Sequence, residues 1–390
     1  MPNYDVGAVR AAEFPWTGAG EPIYLNHAAT GPMPSRTVAL VNDWTERRRR
    51  PWTITDGETV FPALRRTREA CAALVGASAD EIALLPNTSY GLNLAAQGLW
   101  FEPGDVVVAS EGEFPTVVSV WRNAAGRRGV DVHIVPMRDG LPDEDALLEA
   151  MRAPRVKALA VSWVGFVTGF RHDLARLGAA CRERGVSFIV DAIQGLGPAT
   201  IDLSRVSVDV FACGGFKWLL APWGAGFCYV RGDLVRQIAP PALGWLVGPS
   251  QEDYTRAMEH DAALYDDARR FEVMTLPSQD LAAMGRSIEL LLELGPASVE
   301  EHVTRLADRI VAWADARRDV RLVTPRDPAR RAGIVSLAPP DPGRVSARLR
   351  EAGVIHSHRP GGVLRFSPYL YNTMEEVEAA LGVVDRVLGA

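Results

Sequence analysis

From residue 81 to residue 214 short apolar runs alternate with helical patterns, and nothing else in the chain restricts its fold as much. "EIALLP" (81–86), "DVVVAS" (105–110), "VDVHIVPM" (130–137) and "VKALAVSWV" (156–164) read as strands, as do "VSFIVDA" and "VDVFACG". "NTSYGLNLAAQGLW" reads as a turn followed by a helix, and "DLARLGAACRERG" (173–185) has helical periodicity. Strands alternating with helices predict an α/β fold with a mostly parallel central sheet covered on both faces. From about residue 276 the texture changes to long helical patterns, then "AGIVSLAPP", a helix "GRVSARLREAG", a strand pair around "VLRFSP" and a last helix "MEEVEAALGVVDRVL". The expected division is an N-terminal segment (1–20), a large domain (21–275) and a smaller α+β domain (276–390), which the N-terminal segment joins.

The chain has 390 residues, enough for a large and a small core. A net charge of -6 provides no general field for nucleic acid. The run Arg47 to Arg50 ends a helix-like stretch before Pro51, where a solvated helix end explains it without a polyanion. The four cysteines show no CxxC spacing, so neither a disulfide framework nor a zinc site is expected. The N-terminus has no apolar signal region, and no stretch of membrane-spanning length lacks charges, so a cytoplasmic protein with no membrane partner is expected.

In open α/β sheets ligands sit beyond the carboxyl ends of the strands. Three features lie there. Lys217, in "FACGGFKWLLAPWGAGF", is the one charge among glycines, aromatics and small apolar residues. It either reaches solvent by snorkelling or has a lowered pKa and serves as a neutral amine. Asp191 and Gln194 close the strand "VSFIVDAIQ"; the ordinary alternative for Asp191 is a strand-end turn. The turn Asn87–Thr88–Ser89 opens a helix, whose free N–H groups and dipole attract an anion, or it is simply an N-cap. A Schiff-base lysine, a carboxylate for a pyridinium nitrogen and a helix start for a phosphate together match what pyridoxal phosphate requires. A dinucleotide site at "GLGPAT" fails because the third glycine is absent.

"YLNHAATGPMP", "NTSYGLN", "EGEFPTVVSVW", "VDAIQGLG", "GGFKWLLAPWGAGF", "RRFEVMT" and "LRFSPYLYNTMEEV" follow one another along nearly the whole chain. In this order they resemble the class V aminotransferase superfamily of fold-type I pyridoxal phosphate enzymes, in the branch with isopenicillin N epimerase-like, selenocysteine lyase-like and cysteine desulfurase-like proteins. The resemblance implies the fold-type I transferase fold and pyridoxal 5'-phosphate as cofactor. It makes Lys217 the cofactor-bonding lysine and proton carrier, Asp191 the partner of the pyridine nitrogen, and Gln194 the partner of the phenolic oxygen. Phe114 falls where a ring stacks on the cofactor, although a core phenylalanine is as good a reading of the residue alone. Thr88 and Ser89 match the phosphate-binding pair. Thr275 falls where a neighbouring subunit reaches the phosphate, which implies a homodimer with shared sites. Trp245 is either a cover for the phosphate region or a core tryptophan. Arg365 matches the arginine that grips the substrate carboxylate, and Asn26, His27, Ala28 and His356 fall among substrate-binding positions. Strand alternation would turn both imidazoles of "HSH" (356–358) to one face, toward the pocket.

Departures from the pattern matter. Gly214 and Phe216 stand where relatives carry a serine and a histidine near the phosphate, and Phe166 stands where desulfurases place an asparagine. No cysteine follows Cys228, whereas cysteine desulfurases carry a nucleophilic cysteine in the C-terminal third. The expected activity is therefore that of a pyridoxal phosphate enzyme acting on an α-amino acid. A lyase (β-elimination, C–S type) or epimerase-like outcome without a catalytic cysteine is favoured, in part because no second carboxylate-binding arginine is assigned. Transamination is the alternative, and a cofactor-binding protein without turnover is the remote one.

Overall fold

A computed structural model describes residues 4–18, 20–244, 247–249, 254–256, 258, 263–273 and 275–389. Its centre is a seven-stranded sheet in the order Ile82–Leu85, Gly226–Val230, Val210–Gly214, Ser187–Asp191, Val156–Ser162, Val106–Ser110, Asp131–Val135. The inner strands are near-continuous apolar runs because both of their faces are covered, as the sequence pattern requires. All strands run in one direction except Gly226–Val230, which is antiparallel to both neighbours. The sequence reading assigned no strand there. Its connection to Val210–Gly214 is the short lysine-bearing loop 215–225, and so short a connection can join only antiparallel neighbours.

Two apolar clusters pack on the faces of this sheet. The helix Thr88–Gly98 lies close on one face, since Gly91 carries no Cβ; one built there would stand 2.7 Å from the Ala212 Cβ. A third cluster lies between the helices Pro296–Asp315, Pro342–Glu351 and Met374–Leu388 and the sheet Ser357–Arg359, Val363–Phe366, Val335–Ala338, Arg321–Leu322. The last of these helices starts at a capping box in which Thr373 and Glu376 each accept from the other's backbone N–H. The helix Ser278–Leu294 packs with the large sheet's helices Ser35–Arg48 and Phe61–Val75, and its Leu281, Met284 and Ile288 belong to the first cluster. In the C-terminal part of the chain the third cluster begins only at Leu306, within the following helix.

Residues 23–25, expected in the large domain, lie on the small unit. Ile23–Tyr24 pairs in parallel with Val354–Ile355, and Leu25 enters the third cluster. The next residues cross to the large sheet. Ala28 donates its N–H to Ser367 Oγ on the small unit, and its carbonyl accepts from Gln194 Nε2 on the large one. Gly31 then donates to Phe216 O, and a Cβ at Gly31 would lie 2.0 Å from the carbonyl oxygen of Lys217. Glycine is required there because another backbone passes where a side chain would begin. "NHAATG" is thus a strap that ties the two units together across the lysine loop.

Candidate active site

The carboxyl ends of the parallel strands open toward one edge of the sheet, and Asp191, Thr88 and the Lys217 loop all lie there. Lys217 follows Val210–Gly214, and its Nζ stands 5.5 Å from the Phe216 ring centroid and 5.8 Å from that of Phe114. Phe114 is 41% exposed, with its ring edge-to-face on Phe166, so it offers an open aromatic face beside the amine. Burial lowers the Lys217 pKa from 10.5 to about 8; Asp191 opposes the shift, and Arg365 and Arg359 add to it. The snorkelling alternative is thereby set aside: the amine sits inside, at a pKa that leaves a useful neutral fraction near neutrality.

Asp191 ends its strand buried, with one carboxyl oxygen accepting from Ile193 N at 3.0 Å. Burial raises its pKa to about 6, against the Ile193 hydrogen bond and the charge of Lys217. Gln194 spends its amide on structure, donating to Ala28 O and accepting from Trp218 Nε1. Asn87 Oδ1 caps the helix Thr88–Gly98 at Tyr90 N, which leaves the N–H groups of Thr88 and Ser89 free at the helix start. Thr88 Oγ1 accepts from Gly214 N at 2.8 Å and so fixes the strand end that leads to the lysine.

Arg365 enters from the small unit. Its side chain is fully buried, with Nη1 donating to Phe166 O at 2.6 Å and Nη2 to Ser357 Oγ at 3.3 Å. Ser357 donates to Asn26 Oδ1 at 2.6 Å, which brings Asn26 into the same network. Burial, and then the neighbouring Arg359, lower the Arg365 pKa.

The structure corrects the histidine expectations. His356 stacks on Phe366, with Nε2 at Ser346 Oγ and Nδ1 at Val354 O, while Ser357 is the residue of "HSH" that meets Arg365. Strand alternation was the right rule applied to the wrong parity. His27 is an interior residue with no exposed surface, held through Nδ1 at Ser367 O among the rings of Tyr24, Trp218, Tyr369 and Tyr371. Burial pushes its pKa down to about 3, so the ring stays neutral. Thr275 is exposed beside Trp44, Pro51 and Leu276, and none of the Lys217 cluster lines that hollow. Trp245 lies outside the described residues.

Three participants were missed. Arg359 bears on both Lys217 and Arg365; its alternation with Ser357 in "HSHR" was the available signal. Ser357 was passed over between two more conspicuous histidines. Glu113, beside Phe114, accepts from Ser162 N and Oγ, and burial raises its pKa; only the fold reveals that pairing.

The residues present fit pyridoxal phosphate. The donor set has a buried amine of lowered pKa, a buried carboxyl across from it, an open aromatic face, a helix start with free N–H groups and a guanidinium without a carboxylate partner among the described residues. Each complements one feature of the cofactor or of an amino acid bound to it. All four cysteines are buried and free, and burial raises every thiol pKa, so none is a ready thiolate.

Comparison with known proteins agrees. Isopenicillin N epimerase of Streptomyces clavuligerus is 28% identical over 344 residues, covering 84% of this chain and 85% of that protein. A probable cysteine desulfurase of Methanothermobacter thermautotrophicus is 26% identical, covering 94% of this chain and 95% of its own length. The apo structure of a cysteine desulfurase from Thermococcus onnurineus NA1 has the same fold, with a TM-score of 0.87 at 24% identity over 100% of both chains. The aminotransferase class-V family matches residues 23–380. The chain therefore belongs to the class-V aminotransferases and is a pyridoxal phosphate-dependent enzyme.

Proposed function

We propose that the protein binds an α-amino acid at Arg365 and labilises a bond at its Cα, with a lyase or epimerase-like outcome that uses no catalytic cysteine. The observation that carries this is that Lys217 feels the charges of both Asp191 and Arg365, which come from the two different units. When bound, the cofactor supplies the electron sink for the Cα bond. The chain's own residues do the rest. Arg365 offers its fork to the substrate carboxylate and, held by Phe166 O and Ser357, fixes the orientation of the Cα bonds. Lys217 holds or returns the proton at Cα, for which a pKa of about 8 is well placed. Asp191, Thr88 and Ser89 hold the cofactor's two charged ends, and Phe114 covers its ring.

The relatives named isopenicillin N epimerase support an epimerase-like outcome, and the buried thiols argue against sulfur transfer through a cysteine. One observation favours transamination as a second reading. Arg359 is a second guanidinium near the first, which removes one ground on which the sequence disfavoured that outcome. Incubating the holoenzyme with amino acids and sulfur-linked conjugates separates these readings. Pyruvate with a thiol, or the opposite enantiomer, is expected; a stoichiometric keto acid with the cofactor left in its amine form would overturn the lyase and epimerase assignment.

We also propose a cytoplasmic homodimer in which Thr275 completes the partner's phosphate site. The exposed position of Thr275, away from its own chain's Lys217, supports this. Mixing Lys217→Ala chains with chains altered at Thr275 should then restore part of the activity in the heterodimer. A fully active monomer in sedimentation during turnover would rule it out.

A further inference from the structure

Arg359 ends the strand Ser357–Arg359, opposite Val363, while Arg365 stands opposite Ser357. Residues two apart on a strand share a face, so Arg359 lies on the face of Ser357 and Arg365, roughly 7 Å farther along the ribbon. The two guanidiniums feel each other, and both bear on Lys217.

Their surroundings differ from those of several partly buried arginines in this chain that hold a carboxylate. Arg68 holds Glu272, Arg36 holds Glu13 and Arg317 holds Asp385. Among the described residues no carboxylate lies within ion-pair distance of Arg359 or Arg365, and the Nε of each is buried without an acceptor. Arg365 donates to one carbonyl and one hydroxyl, and Arg359 has no side-chain hydrogen bond among the described residues. Three cations, Lys217, Arg359 and Arg365, therefore lie near one another, and Asp191 opposes the charge of Lys217 alone. Desolvated like charges so grouped call for anions from outside the chain. The cofactor phosphate has its place at the helix start of Thr88 and Ser89, on the large unit. An α-carboxylate on Arg365 still leaves Arg359 unclaimed.

Building on the amino-acid reading above, we infer that Arg359 receives a second anionic group of the substrate, so that the substrate class is amino acids whose side chain carries an acidic group. The guanidinium is suited to this because its planar fork pairs with a carboxylate through two parallel N–H bonds. Burial of Nε strengthens such a pair by excluding water.

The test is equilibrium binding to the holoenzyme, followed by calorimetry and by the cofactor's absorbance. The probes are α-methylglutamate and its γ-amide, which lack the Cα proton and so bind without deprotonation at Cα. The acid should bind about ten- to a hundredfold tighter than the amide, the difference expected of a charge-assisted pair, and added salt should shrink the gap. Arg359→Gln should bring the ratio close to one, Arg359→Lys should keep part of it, and both variants should retain the cofactor in full occupancy before ligand. Equal binding of acid and amide to the parent, or a preference that survives in Arg359→Gln, overturns the assignment of Arg359 while the amino-acid reading stands. If neither probe nor any ordinary amino acid perturbs the cofactor, both fall together.

Discussion

Lys217→Ala should abolish covalently held cofactor and lower turnover by at least about a thousandfold, because one side chain provides both the bond to the cofactor and the proton carrier. Borohydride reduction followed by mass mapping should find the cofactor on Lys217 in the parent and nowhere in the variant. A structural lysine would give a different result in the cofactor-free chain. The folded pKa of Lys217, about 8, lies below its unfolded value of 10.5. The folded chain therefore binds fewer protons than the unfolded chain between those two pH values, and its stability rises with pH across that window. Below about pH 8 the whole penalty of burying the ammonium is present; it is on the order of 3 kcal/mol and fades toward the unfolded pKa. The alanine variant loses this pH-dependent term. Its cofactor-free form should melt no lower than the parent at pH 7.5, and the parent should gain on it up to pH 10. Full activity in the variant would refute the role of Lys217.

Arg365→Ala should cost about 2–4 kcal/mol of transition-state stabilisation, the scale of a broken charge-assisted pair, with Arg365→Lys intermediate because it keeps the charge and loses the fork. Both kcat and KM should suffer, since the guanidinium orients as well as binds. The cofactor should remain bound in both variants, because we assign its charged ends to Asp191, Thr88 and Ser89. Arg365 also ties Phe166 O to Ser357 across the two units. Ser357→Ala removes one of the two groups that hold the guanidinium without touching its charge, so it separates a loosened guanidinium from a lost carboxylate partner: it should cost far less than the arginine variant. Unchanged kinetics in Arg365→Ala, or loss of cofactor with activity, would show that the substrate carboxylate binds elsewhere.

Much of the site was legible because its chemistry leaves local marks. Lys217 was conspicuous as a lone charge in an apolar stretch, and the apolar run before Asp191 carried it inward as expected. Thr88 and Ser89 were visible as a helix start after a strand, which is a pattern of a few residues. Arg359, Ser357 and Glu113 left no such mark. Arg359 matters only through what it lacks, a carboxylate partner, and that absence exists only once the chain has folded. Glu113 matters through Ser162, which is 49 residues away. His27 and His356 show the converse, since at family-like positions one became an interior group among aromatic rings and the other a half-buried ring stacked on Phe366.

By itself the sequence determined most of the strands and helices between residues 81 and 214, the parallel core of the sheet and the strand ends where chemistry collects, because strand and helix periodicity and strand-end polarity are written in neighbouring residues. The tertiary structure alone decided that Gly226–Val230 enters antiparallel, that the Gly31 strap presses on the Lys217 carbonyl, and that the helix Ser278–Leu294 packs with the large sheet. It also placed Arg359 beside Arg365 on one face of the small sheet, with no carboxylate within ion-pair distance of either among the described residues. These features depend on contacts between segments far apart in the chain, and on the balance of charge and burial that only such contacts create.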